Sequence, residues 1–322
     1  MENKKQFNVK NFLIKYALII LILLLWVVYG VNSPYFFTVK NFKSLIVNAA
    51  PLLIYATGMT YILILGEIDL SIGSIGAVSA SLWIMSMTEK DMPLAAAFGI
   101  AILTGLICGT VNAFLIIKLK INAFMVTLGM QFLLRGVCYL VVHGEQILTP
   151  QKVRDFAKLR LFTLSPLFYI GLLVAIIMML VYKFTSYGRK VQATGCNKEA
   201  AKLVGVNVDR TKFIAFVLCG GLAGLAGAFQ CINVGMLLPN GLGDGSEFLA
   251  ITACVLGGTS LLGGVGSIIP GTLLGVVFYY SIENGLGLMG ANVYVYPIVR
   301  GIVIFLAMVT DSLKRSIGTS RK

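Results

Sequence analysis

The sequence predicts an all-α fold, a polytopic membrane helix bundle of about ten transmembrane helices with glycine-broken central segments. Three observations carry that class. Of 322 residues, 58% are hydrophobic and 12% charged, and the mean hydropathy is +0.90. A soluble globular domain is nearer half apolar and a quarter charged, so no water-facing surface hides this much apolar side chain. Apolar runs recur along the whole chain, with Lys and Arg clustered between them. Several central runs are interrupted by glycine and polar residues, above all at LGEIDLSIGS (65–74).

A span needs about 20 apolar residues. The first run, 13–31, follows MENKKQFNVKNFLIK. Its basic start resembles a secretory leader, but no A-x-A-like site follows, so it is expected to be an uncleaved first span starting in the cytoplasm. Further runs cover 45–65, 70–88, 94–117, 123–142, 167–184, 212–235, 248–263, 268–288 and 293–312. An even count places Lys4, Lys5, Lys10 and Lys15 on the same, cytoplasmic face as the tail residues Lys314, Arg315, Arg321 and Lys322. The turn with Lys118 and Lys120 falls inside too, as does the loop carrying Lys183, Arg189, Lys190, Lys198, Lys202, Arg210 and Lys212. One segment runs against the rule: 143–166, with Lys152, Arg154, Lys158 and Arg160, faces outward. No loop is long enough for a soluble domain, so residues 1–322 form one transmembrane domain.

The net charge of +13 reflects these cytoplasmic clusters, and no exposed basic and aromatic alternation points to nucleic acid. The six cysteines form no C-x-x-C pair, and five sit in apolar runs as small hydrophobes. The lone His143 reads as a polar residue at a helix end, not a metal ligand. No G-x-x-x-x-G-K-[ST] occurs, so a nucleotide that drives this chain binds elsewhere.

Gly105 and Gly109, then Gly220 and Gly224, each form G-x-x-x-G, with Gly221 and Gly227 nearby. Such spacing lets helix backbones approach where lipid supplies no hydrophobic force. LGEIDLSIG (65–73) and LGGTSLLGG (256–264) share L-G-x-x-x-L-x-x-G, and each breaks an apolar run, one in each half. Paired breaks of this kind point to a transport pathway.

A carboxylate in the bilayer costs roughly 2.5–3.5 kcal/mol on the lenient insertion scale, so Glu67 and Asp69 are expected to face the bundle interior or water. Asp69 precedes a helical pattern and suits an N-cap or first-turn acid. Two readings are compatible: a capped break between helices, and a polar lining on a translocation path. Arg135, Glu283 and Arg300 also fall within expected spans, each either snorkelling near an end or paired inside the bundle. In the polar stretch 188–213, Asn197 is a good N-cap, Glu199 a first-turn acid, and Gly205 a left-handed C-terminal stop. That predicts a helix of about two turns, too short to stand alone in water, which must dock on the bundle or on a cytoplasmic partner. Asp209 is placed to cap the next helix.

LGEIDLSIGS, ATGCNKEAAKLVGVNV and LGGTSLLGGVGSIIPGTLLG, in this order and spacing, resemble the permeases of ribose-type ABC sugar importers. NFKSLIVNAA, GMTYILI and LLRGV extend the resemblance over most of the chain. It implies a transport subunit, not an enzyme, in a bacterial plasma membrane, with both termini cytoplasmic and no cofactor of its own. Implied partners are a second permease subunit, membrane lipid, a cytoplasmic ABC ATPase that holds ATP and Mg, and an extracytoplasmic sugar-binding protein. Asn197, Lys198, Glu199, Ala200, Ala201, Lys202, Leu203 and Gly205 fall on the family's cytoplasmic coupling segment, here about 188–212. Gly66, Asp69, Leu70, Ser71, Gly73 and Ser74 match its G-x-D-L-S-x-G-S signature. Glu67 departs from it, since glycine is usual there, and Ser246 stands where tyrosine commonly precedes an acid. Candidate pathway residues are therefore Gly66, Glu67, Asp69, Ser71, Gly73, Ser74, Glu247, Gly257, Gly258, Thr259 and Ser260. Alternatives are a permease for nucleosides or branched-chain amino acids and an ion-coupled secondary transporter using Asp69 or Glu67; a membrane enzyme ranks last.

Overall fold

The computed structural model describes residues 9–292 and 294–319, with side chains for 16–292 and 294–309. Lys4, Lys5, Arg321 and Lys322 lie outside the described residues, as do the side chains of Lys10, Lys15, Lys314 and Arg315.

Helices follow nearly every apolar run. The first half holds α1 (Val9–Asn32), α2 (Val39–Ile64), α3 (Ile72–Thr88), α4 (Leu94–Ile117) and α5 (Ala123–Val141), then β1 (Ile147–Leu148) and α6 (Gln151–Lys158). Next come α7 (Pro166–Phe184), α8 (Ser186–Cys196), α9 (Lys198–Leu203), α10 (Val208–Val234) and β2 (Met236–Leu237). The chain ends with α11 (Ser246–Leu256), α12 (Leu273–Leu288) and α13 (Val295–Thr319). Among the described residues five helices, α2, α4, α5, α7 and α10, are long and apolar enough to cross a membrane. Local chemistry starts several of them: the side chains of Thr38, Asn122 and Ser165 accept the Asn41, Phe124 and Leu167 amides, and Pro166 fills the first turn of α7.

In their most apolar stretches α2 is 83% buried and α7 22%, so α2 is central and α7 peripheral. The core is the packing of α10 on α4, α2 and α3. The two G-x-x-x-G motifs meet there face to face. A methyl on Gly105 strikes the Gly220 carbonyl, one on Gly220 strikes the Gly105 carbonyl, and Gly109 lies against the Phe216 carbonyl. Farther along, Phe98 meets Phe229 edge-on at 5.8 Å, which makes the two helices antiparallel. Backbones this close gain dispersion and allow no side chain between them.

A second cluster joins α1, α12 and α13 through Ile22, Phe278 and Ile282. Polar groups pair beside it: the amides of Asn41 and Asn284 exchange hydrogen bonds of 2.9 and 2.7 Å, and Trp26 donates to Ser281 at 2.8 Å. Glu283 and Arg300, two of the expected intramembrane charges, bind each other, and Tyr279 donates to Glu283 at 2.6 Å. His143 follows the last turn of α5. All six cysteines are free, and Cys196 is the exposed one.

Three expectations need correction. The run 248–263 is helical only to Leu256; Gly258, Gly263 and Gly264 then take positive φ, which carries the chain through turns until Ile268. Asp69 is not a helix cap: α3 starts at Ile72 after Ser71. Asp209 does not cap α10 either; the Asn207 side chain accepts the Arg210 amide at 2.8 Å, and Asp209 sits in the first turn. Segment 143–166 holds the unforeseen α6 and β1, and β1 pairs antiparallel with β2, which follows α10.

Candidate functional site: two glycine breaks and a short capped helix

The two Gly-broken segments, far apart in sequence, touch. The Gly264 amide donates to the Ile64 carbonyl at 2.8 Å, beside the end of α2. Gly66 has φ +71, and a Cβ there sits 3.0 Å from the Leu262 carbonyl. Gly263 has φ +92, and a Cβ there lies 2.9 Å from the Gly66 nitrogen. Both positions require glycine twice over, for backbone angle and for space. The last turn of α8 seals the junction, because Gly195 packs on the Ile64 carbonyl and the Gly264 amide.

Within the first break, Asp69 is fully buried. Its Oδ1 accepts from the Ser71 amide at 2.9 Å and the Ser71 hydroxyl at 2.6 Å, and Ser71 Oγ accepts from Asn112 of α4 at 2.8 Å. Asp69 Oδ2 and the Ser74 hydroxyl meet no protein partner. The carboxylate therefore folds the chain into a side-chain-closed turn just before α3 and ties it to α4.

Glu67 points the other way, toward the polar stretch after α8. Its Oε1 lies 3.0 Å from Lys198 Nζ and 2.5 Å from Lys212 Nζ, so it bridges the starts of α9 and α10. The Glu67 and Lys212 side chains are only 15% and 14% exposed. The Glu67–Lys212 pair is shielded from bulk water, whereas Lys198 and the Glu199–Lys202 pair are exposed.

The stretch around α9 is capped as the sequence indicates. Asn197 Oδ1 accepts the amides of Glu199 and Ala200, both at 3.0 Å. At the other end the Val206 amide reaches Ala201 O and the Gly205 amide reaches Lys202 O, each at 3.0 Å, with Gly205 at φ +80. That is a Schellman stop. The helix has six residues, shorter than the two turns expected, because Val204 already leaves the helical region. Ala201 is buried against the bundle, whereas Leu203 and Val204 are 89% and 78% exposed. The preceding α8 is anchored by Tyr187, whose ring stacks on Tyr61 of α2 at 6.1 Å.

The second half of the site lies deeper. Glu247, at the start of α11, is 1% exposed and accepts from Gln131 Nε2 at 3.0 Å. Gln131 is eight residues along α5, about 12 Å by the helical rise, so α11 begins part-way along the bundle. Gly73, in the first turn of α3, faces the Gly243 carbonyl and Glu247 so closely that a Cβ strikes the first and lies 2.6 Å from the carboxylate. Arg135, one turn beyond Gln131, donates to the carbonyls of Leu242 and Pro239 at 2.7 and 3.3 Å and holds the non-helical strip before α11. After α11, Thr259 is buried with no hydrogen-bond partner for its hydroxyl. Gly257 packs on Gly271, Gly258 turns at φ +91, and the Ser260 amide reaches Val265 O at 2.9 Å.

The model of the family described as "Branched-chain amino acid transport system / permease component" matches residues 41–308. The chain belongs to this family. It is 34% identical over 321 residues to the ribose import permease protein RbsC of Escherichia coli (strain K12), covering 97% of this chain and 98% of that protein. It is 33% identical over 295 residues to the autoinducer 2 import system permease protein LsrC of Yersinia pseudotuberculosis serotype O:1b (strain IP 31758), covering 91% and 83%. No solved structure matches the chain. The likeness to ribose-type permeases read from the motifs thus extends over nearly the whole sequence, and the chain is a transport component, not an enzyme.

In this permease the expected coupling residues 197–205 form one capped unit, and the candidate pathway residue Glu67 is ion-paired to it through Lys198. Sequence reasoning missed Gln131, Asn112, Tyr187 and Asn207. Of these only Asn207, an Asx residue just before an apolar run, carried a local signal. Because Asn197 caps α9 with two hydrogen bonds, Asn197→Ala is expected to destabilise that turn by about 1 kcal/mol. Proteolysis of the purified permease within 197–205 should accelerate several-fold while its overall melting point stays put; an unchanged cleavage rate contradicts the cap's importance.

Proposed function

We propose that this permease is the membrane subunit of an ATP-driven importer that carries a monosaccharide, ribose or a related sugar, into the cytoplasm by alternating access. In that arrangement the chain crosses the membrane ten times, through α1–α5, α7, α10, the 236–256 strip ending in α11, α12 and α13. Both termini then lie in the cytoplasm of a bacterial plasma membrane, on the side of α8 and α9. The chain pairs with a second permease subunit and receives its solute from an extracytoplasmic binding protein. A separate ATPase holds ATP and Mg below.

The observation that carries this reading is α9. It is a short helix, capped at both ends, offering Leu203 and Val204 to the cytoplasm while its first residue, Lys198, is ion-paired to the first glycine break through Glu67. Movement of the ATPase against α9 is transmitted through Glu67 and the Gly195 contact to both breaks at once. The solute path runs beside the start of α11, where Gly73, Gly243, Gln131 and Glu247 meet, and Asp69, Ser71 and the 257–260 turn close its inner end. A helix that starts inside the bundle presents amide donors and a carboxylate there, the hydrogen-bonding set that sugar hydroxyls need. The sugar reading follows the ribose relative and the signature motifs, although the family's description speaks of branched-chain amino acids. Glu67, one of the two acids that an ion-coupled mechanism could use, is instead paired with Lys198 and Lys212.

Single cysteines at 198–204, in a Cys196→Ser background, should crosslink to the ATPase in the assembled transporter. Leu203→Cys and Val204→Cys should react fastest. Assembly without any crosslink in this stretch removes the coupling assignment.

A further inference from the structure

At the end of the bundle opposite α9, a groove of about 600 Å³ runs between the first turns of α2 and α7 and the turn after α6. Lys40, Lys43 and Arg160 line it, with Ser44, Asn48 and Ser165. None of the three cations has a carboxylate in ion-pair distance among the described residues; Arg160 donates only to the carbonyls of Ala157 and Leu159. On the same side Lys152 is neutralised by Asp91 at 2.9 Å, which shows what a paired cation looks like here. Three cations around one groove without counter-charge repel one another, and on an outer surface they oppose the positive-inside bias. An anion relieves both penalties.

The surroundings say which anion. The groove opens beside α7, whose Leu173 and Ile177 are 55% and 48% exposed, so it lies at the lipid-facing perimeter. Next to Arg160 the chain turns tightly: Leu161 and Leu164 exchange backbone hydrogen bonds of 2.9 and 3.0 Å, and Tyr169 donates to the Leu161 carbonyl at 2.8 Å. That stapled turn holds Phe162 out at 93% exposure, just after the half-exposed Leu159 and Leu161. An aromatic projection beside cations at the level of helix ends matches the boundary between headgroups and acyl chains. Both α2 and α7 also aim their first-turn amides toward this end, adding partial positive charge.

We propose that this groove binds the phosphate of an anionic phospholipid, with Lys40, Lys43 and Arg160 on the headgroup and Phe162 among the acyl chains. The outer placement rests on the proposed orientation with α9 in the cytoplasm, but the lipid site itself does not depend on coupling to an ATPase. Bound there, the lipid cements α2, a central helix, to the peripheral α7 and α6.

The test is native mass spectrometry of the full chain purified from phosphatidylglycerol and phosphatidylcholine mixtures, together with thermal unfolding in vesicles of each. The wild type should retain phosphatidylglycerol and melt higher with it. K40Q/K43Q/R160Q should bind it about a hundredfold more weakly, and Arg160→Gln alone, the milder change, should show an intermediate loss. K118Q/K120Q, which removes two cations at the other end, should retain it. Equal retention by the triple variant overturns the proposal. So does stabilisation of the wild type by inorganic phosphate to the same degree, which marks a free-anion site. A triple variant that keeps its lipid yet loses uptake from an exported binding protein identifies a protein-docking surface instead and also overturns it. Failure of the α9 crosslinks leaves all these readouts unaffected.

Discussion

Gly220→Val is expected to unfold or misassemble the permease, with Gly105→Val close behind. Each glycine faces the other's carbonyl across the α4–α10 contact, and even one methyl lands on backbone, which has no rotamer to yield. Forcing extra methylenes into a packed contact costs about 1–3 kcal/mol when side chains absorb it, and here the helices themselves must part. Separation forfeits the dispersion of the whole seam, including Gly109 on Phe216 and Phe98 on Phe229. Gly129→Ala and Gly136→Ala, both on α5 with nothing near an added Cβ, are the contrast. They should be neutral or slightly stabilising, since alanine exceeds glycine in helix preference by up to about 1 kcal/mol. Thermal aggregation midpoints of detergent-purified variants decide it. A Gly220→Val protein that melts with the wild type removes the seam from the account of stability.

What the sequence disclosed were features written within a few neighbouring residues. An acid and two glycines inside an apolar run mark a broken helix wherever it packs, so the 65–74 break was legible. Asn197, Glu199 and Gly205 likewise spell out both ends of α9. The glycine motifs showed close helix approach, but only the fold shows that the two motifs meet each other. Illegible features depend on partners distant in the chain. Gln131 and Glu247 are 116 residues apart, Arg135 and the Leu242 carbonyl 107, and Glu67 lies 131 and 145 from its two lysines. Asp69 shows how a local signal misleads. An acid just before a helical pattern looks like a cap, yet its burial favours bonds to Ser71, linked to Asn112, over an exposed helix end. The run 248–263 was overextended for a similar reason: leucines between glycines keep hydropathy high where the backbone has already turned.

Glu67→Lys should abolish uptake while leaving the permease folded and assembled. In the wild type one carboxylate sits between Lys198 and Lys212, leaving one net positive charge. The variant leaves three. At a separation near 4 Å and an effective dielectric of 20, each like-charge contact costs about 4 kcal/mol before relaxation. The exposed Lys198 will swing away, and α9 will lose its tie to the first break. Glu67→Gln is gentler: Lys212, largely shielded, keeps a hydrogen bond but loses its counter-charge, a cost of roughly 1–3 kcal/mol between the exposed and buried limits. Uptake should then fall several-fold. The decisive variant is the charge swap E67K/K198E, which restores both the net charge and one opposite-sign contact across the junction. If Glu67 transmits movement from α9, the swap recovers a substantial part of transport, and the ATPase activity of the assembled transporter regains its dependence on solute-loaded binding protein. If Glu67 only lines the solute path, the longer cationic side chain introduced there still obstructs it, and the swap stays as dead as the single variant. Equal uptake by Glu67→Lys and the wild type removes both roles.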